Sequence, residues 1–129
     1  MMFSLRLTEA AQSDIIEILV WSEAEFGERV RGLYEHLIAT ALRDIAAAPE
    51  RPGSKSRPEL GSDARSWHLR GSRDRARRSD GVVNRPRHFL IYKVADNRTI
   101  VITRILHDAM ELRRHLPSSA DHPFRDADH

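Results

Sequence analysis

Apolar and polar positions along the chain change period several times, and each change marks an element. Phe3-Ser4-Leu5-Arg6-Leu7 alternates, as a half-buried strand does. Thr8 then offers an N-cap, and Glu9 puts a carboxylate in the first turn of a helix, at its positive end. Ala11, Ile15, Ile18, Leu19 and Ser22 recur at helical spacing up to Phe26-Gly27, where the glycine is the stop. A second helix is predicted from Glu28. Val30, Leu33, Tyr34, Leu37, Ile38, Ala41, Leu42 and Ile45 form one apolar stripe, and Pro49 ends it. So short a joint predicts an antiparallel helix hairpin.

Arg51 to Gly61 is rich in Pro, Gly, Ser and charge and reads as loop. Arg65-Ser66-Trp67-His68-Leu69-Arg70 alternates again, with Trp67 and Leu69 toward a core. Gly71 to Arg87 is a polar, arginine-rich insert, read as a mobile loop or as a loop with one helical turn at Ser72-Arg73-Asp74-Arg75-Ala76. His88 to Val94 and Thr99 to His107 are β-branched and aromatic runs around the turn Ala95-Asp96-Asn97-Arg98. They predict an antiparallel hairpin, apolar enough to lie centrally in a covered sheet. Asp108 to Leu116 has helical character, Pro117 stops it, and residues 117–129 read as a disordered tail. The order β-α-α-β-β-β predicts a two-layer α+β domain over residues 1–116, with the helix hairpin packed on a small, mainly antiparallel sheet.

The length of 129 residues fits a single domain with one real core. Hydrophobic residues make up 40% and charged residues 31%, so the class is ordinary globular with a busy surface. Net charge is only +2, yet the span Arg65 to His88 sets eight arginines against Asp74 and Asp80. That span is either a site for an anionic partner or a solvated arginine-rich loop. Absence of cysteine excludes disulfides, thiolate chemistry and cysteine-bound zinc. No apolar run approaches the roughly 20 residues that span a bilayer, and the start lacks the core of a signal peptide. A soluble, cytoplasmic protein is expected.

The histidines show no metal-protease spacing, so no metal site is expected, and no phosphate loop or Gly-x-Ser-x-Gly elbow is present. Asp14, Glu17, Glu23, Glu25 and Glu28 read as the solvated face of the helix hairpin. Trp21 and Trp67 could stack on bases, but Trp67 fits a core position better. RNA cleavage without metal needs a base for the ribose hydroxyl, cations for the phosphate and an acid for the leaving oxygen. Arg65, Arg70, Lys93 and Arg104 could supply the cations, and His68, His88 and His107 the proton transfers.

One ordered set of motifs goes further. Leu7-Thr8-Glu9-Ala10-Ala11 with Asp14-Ile15, Phe26-Gly27, Tyr34 with Leu37, Pro49 with Gly53, and above all Arg104-Ile105-Leu106-His107-Asp108-Ala109-Met110-Glu111 followed by His115-Leu116 resemble the ParE group of the RelE/ParE toxin superfamily. These are the toxin halves of bacterial type II toxin–antitoxin modules. The insert 71–87 departs from the simplest members. The resemblance implies a β-α-α-β-β-β toxin without a cofactor, neutralised by a small, partly disordered ParD-like antitoxin. It implies DNA gyrase as the target, inhibited by binding, with ribosome-dependent mRNA cleavage as the alternative. No tyrosine follows the last strand, which favours gyrase; Arg65, Arg104 and His107 would carry the alternative. The expected target contacts are Arg104, His107, Met110 and Arg113. The stripe Val30, Leu33, Leu37 and Ile38 must then be shared between the core and an outer groove for the antitoxin.

Overall fold

The computed structural model describes residues 2–96 and 98–109. Two helices pack on one face of a five-stranded mixed sheet. Strand β1 (Ser4–Leu7) leads into helix α1 (Glu9–Phe26), which is capped where Thr8 Oγ1 accepts the Ala11 amide at 3.0 Å. Gly27, at φ 90°, closes α1 and opens α2 (Glu28–Ala47) in a single residue. A side chain at that φ would be strained, so the sharp reversal falls to glycine. Three further strands were expected; four are present among the described residues. They are β2 (Lys55–Ser56), β3 (Arg65–His68), β4 (His88–Val94) and β5 (Thr99–His107). The extra strand β2 lies in the segment read as loop. Two residues are too few to leave a periodic trace.

The strand order is β1-β5-β4-β3-β2, antiparallel except for the parallel pair β1–β5. Trp67, Leu90, Tyr92, Ile100, Ile102 and Ile105 join the apolar stripe of α2 in one core, and Ala64, Phe89, Ile91 and Leu106 form a second cluster. With both faces of the central strands covered, their near-continuous apolar runs are explained.

A bulge breaks the β4–β5 register: Ile91 faces Arg104 while Tyr92 faces Ile102. Thr103 is the extra residue. Its hydroxyl donates to the Ile91 carbonyl at 3.1 Å, and its own carbonyl accepts Thr8 Oγ1 at 2.8 Å. One added residue reverses the in–out phase of everything after it. Ile102 and Ile105 therefore both reach the main core. Strict alternation would have placed Arg104 there instead.

Three expectations change. Leu33, Leu37 and Ile38 are buried in the core, so of the proposed outer stripe only Val30 keeps surface. The stripe is nearly all consumed because the sheet beneath it is wide enough to take it. The insert 71–87 takes the second of its two readings, a loop with one turn at residues 72–76, and is tied down rather than loose. Ser72 and Ala76 are buried, and Arg29 Nη1 donates to the Asp80 carbonyl at 2.6 Å. Trp67 Nε1 donates to Ser72 Oγ (2.9 Å), which donates to Asp44 Oδ2 (2.6 Å), and Arg75 Nε reaches the same oxygen at 3.0 Å. The third change is at Leu69–Ser72, a short 3-10 helix where the alternation had implied strand to Arg70. The helix expected from Asp108 to Leu116 and the tail 117–129 lie, beyond Ala109, outside the described residues.

Two substitutions test this packing in opposite directions. Ser22 Oγ is buried without a hydrogen-bond partner among the described residues. Ser22→Ala should therefore stabilise the protein by about 1 kcal/mol. A Cβ on Gly71 would sit 2.5 Å from Trp67 Cζ2. Gly71→Ala should cost about 1–3 kcal/mol through overpacking. Urea midpoints read both, and a change of the opposite sign in either would refute the packing argument.

Candidate functional site

Where β1 ends, β5 keeps β4 on one side only, and α1 takes over along its other edge. Leu7 pairs with Ile102, and the Thr8 amide donates to the Ile102 carbonyl. One and a half turns into α1, Asp14 meets the next exposed stretch of β5. Its Oδ2 accepts Arg104 Nε at 2.7 Å and the Ile105 amide at 2.9 Å, and its Oδ1 accepts Arg104 Nη2 at 3.0 Å. Asp14 is thus a buried clamp, 8% exposed, and the reading of it as a solvated acid is corrected. The periodicity carried the signal, because position 14 lies on the buried face shared by Ala11 and Ile18.

Beyond the clamp, α1 and the end of β5 enclose a groove of about 760 Å³. Asp14, Glu17, Trp21 and Glu25 line it from the helix; Arg104, His107 and His88 line it from the sheet. Three carboxylates face one guanidinium, and that guanidinium is already paired. Glu17 and Glu25 are exposed and in no ion pair among the described residues. The groove is therefore acidic.

At its inner end lies a ring cluster. Trp21 packs edge-on against Phe26, Tyr34 and His88, and His88 against His107, with centroids 5.2–6.3 Å apart. Tyr34 Oη accepts the Arg87 amide at 3.0 Å and lies 2.6 Å from His88 Nδ1. Burial pushes the Tyr34 hydroxyl up to about 12, so it keeps its proton and donates it to Nδ1. Burial, then repulsion from His107, lowers His88 to about 3. The imidazole is therefore neutral, with its proton on Nε2.

Asp108 fixes the chain at the far end of β5. Arg87 reaches its Oδ1 at 3.2 Å, and His68 Nε2 donates to its Oδ2 at 3.2 Å. Burial alone would raise its pKa, but the bonds from His68 and Arg87 win and hold it below the usual range. His107 Nδ1 accepts the Ala109 amide at 3.1 Å. Neither Asp108 nor the Tyr34–His88 pair was anticipated. Tyr34 belongs to the helical stripe and His88 opens a strand, so their contact spans 54 positions and leaves no local trace.

The structure brings Arg104, His107 and His88 to one groove and leaves the other candidates elsewhere. Arg65 Nε is bonded to Ser54 Oγ at 2.8 Å, in a chain that passes through the Tyr92 hydroxyl to the Pro49 carbonyl. Lys93 is exposed on β4, and Arg70 lies exposed on the 3-10 helix after β3. Trp67 is a core residue, as expected. Met110 and Arg113 are outside the described residues. Among those described, no group of His, Asp or Glu is placed to hold a metal ion, and no helix is long and apolar enough to cross a membrane.

A helix hairpin on a mixed sheet, with an acidic groove at the helix–sheet seam, defines a small two-layer α+β protein. The chain belongs to the ParE toxins of type II toxin–antitoxin (parDE) systems, whose family model matches residues 5–112. It is therefore a type II toxin of the RelE/ParE superfamily. Among solved structures, the toxin–antitoxin complex RelBE2 from Mycobacterium tuberculosis is similar at 21% identity and a TM-score of 0.49, over 83% of this chain and 99% of that one. Comparison with curated proteins gives no match.

The clamp and the histidine each make a measurable demand. Asp14→Ala strands the Ile105 amide and Arg104, and should cost about 2–3 kcal/mol; Asp14→Asn, which keeps an acceptor, should cost less. Chemical denaturation reads the order, and equal losses would contradict it. A histidine whose folded pKa is lowered stabilises fully above its unfolded value of 6.5 and loses that stability as pH falls toward 3. The urea midpoint should therefore fall between pH 6.5 and 4, and His88→Gln should flatten this slope. An unchanged slope in the variant would rule His88 out as its source.

Proposed function

We propose that this toxin inhibits DNA gyrase by binding, makes and breaks no bond itself, needs no cofactor, and is held inactive in the cytoplasm by a small ParD-like antitoxin. The observation that carries the reading is the charge of the groove. Nucleic acid brings a negative charge with every nucleotide, and a groove in which Asp14 is neutralised by Arg104 but Glu17 and Glu25 are left unpaired among the described residues repels it. A site that cleaves RNA must instead aim cations at the scissile phosphate. Here Arg104 spends two donors on Asp14, and Arg65 is held at Ser54. Of the groups at the groove, His88 stays neutral and Tyr34 stays protonated near neutrality, which leaves His107 without a second proton-transfer partner among them. A protein partner with cationic side chains fits the same groove.

The target surface comprises Arg104, whose side chain is still 48% exposed, together with His107, Met110 and Arg113. The antitoxin contact includes Val30, the half-buried first member of the α2 stripe. The exposed Ile16 and Val20, one turn apart on α1, add the apolar surface that the buried Leu33, Leu37 and Ile38 cannot give.

Purified toxin should block gyrase supercoiling and leave ribosome-bound message intact. His107→Gln should retain inhibition within a few-fold, because contact and not proton transfer is at stake. Arg113→Glu and Glu17→Lys should each weaken it by about tenfold, the effect of losing an interface anchor. Message cleavage by the parent protein, lost in His107→Gln and accompanied by normal supercoiling, would reverse the assignment in favour of a ribosome-dependent endoribonuclease.

A further inference from the structure

A second cavity, of about 290 Å³, opens at the other edge of the sheet. Strand β2 pairs only with Arg65 and Ser66, so it stops short of the end of β3. The notch left beside Trp67 and His68 is walled by Pro52 and Gly53 on one side and by Arg70 and Gly71 on the other. It is rigid. The Trp67 indole is wedged between the two glycines, where added Cβ atoms would lie 3.0 and 2.5 Å from the ring, and it is pinned by its bond to Ser72.

Two cations border this notch, Lys55 and Arg70, and neither pairs with a carboxylate among the described residues. That sets them apart from their neighbours. Arg51 and Arg75 pair with Asp44, Arg73 and Arg77 with Asp74, and Arg87 with Asp108. We propose that the notch is a binding site for a phosphate monoester.

The chemistry selects that group. Lysine offers a point charge and arginine a planar fork, which together suit a tetrahedral oxyanion. Two positive charges match the charge of about −1.5 to −2 on a monoester at neutral pH better than the single charge of a carboxylate. Trp67 and Phe89 are buried, so no ring face is free to stack on a base, and recognition rests on the phosphate. The ester could be free or could be the 5′ end of a nucleic acid. The inference does not depend on which target the toxin has.

Calorimetric titration of the full chain tests it. Inorganic phosphate and 5′-AMP should bind saturably, and adenosine should not. The double variant Lys55→Gln/Arg70→Gln should weaken binding by about tenfold or more, since each lost bond is charge-assisted. Arg85→Gln/Lys93→Gln removes the same charge from exposed positions outside the notch and should leave binding intact. Absence of saturable binding by either phosphate compound, or equal weakening in both double variants, would overturn the proposal. A 5′-phosphorylated oligonucleotide identifies the source. Tighter binding than both its dephosphorylated twin and inorganic phosphate indicates a nucleic-acid end, and affinity no better than inorganic phosphate indicates a small ester; either outcome supports the site.

Discussion

One carboxylate decides how the helical layer meets the last strand. Beyond Ile102, β5 has lost its partner β1, and an unpaired edge amide buried against a helix is costly. Asp14 satisfies that amide and accepts Nε and Nη2 of Arg104 in the same contact. The pair is partly exposed at the arginine and buried at the aspartate, so its value lies in registry more than in raw Coulomb energy. It fixes where α1 sits along β5. That placement in turn sets the width of the groove and puts Glu17, Trp21 and Glu25 on its wall.

The arginines look different once their partners are known. By composition the middle of the chain is a basic segment awaiting an anion. In space most of those guanidinium groups are already engaged. Asp44, near the end of α2, gathers Ser72, Arg75 and Arg51, and Asp108 gathers Arg87 and His68. Positive charge is thus used largely as internal mortar, and the principal cleft is left with the opposite sign. The sign of a surface does not follow from the sign of the nearest stretch of sequence.

Much of the frame was legible in the residues. Thr8, Gly27 and Pro49 mark the limits of the helices through capping, a positive φ and a missing amide. The β4–β5 hairpin announces itself by its β-branched runs. The bulge at Thr103 was not legible, because a slip of phase leaves two apolar half-patterns that each look regular. The roles of Asp14 and Asp44 were only half legible. Each acid interrupts the buried face of an amphipathic helix, which signals a partner without naming it. Apart from Arg51, those partners lie 28 to 91 positions away along the chain. The order of the insert escaped for the same reason, since what anchors it belongs to α2 and not to its own composition.

The parallel pairing of β1 with β5 joins the two ends of the fold, with Ser4 opposite Thr99. During synthesis the helix hairpin can close on itself early, since its contacts are local. The first strand cannot. At ribosomal speeds of roughly 5–20 residues per second, it waits on the order of 5–20 s for the segment that will hold it. The groove needs both α1 and the far end of β5, so it comes into being only once β5 has been made. A chain cut off before β5 therefore carries both helices and their shared face but has no groove.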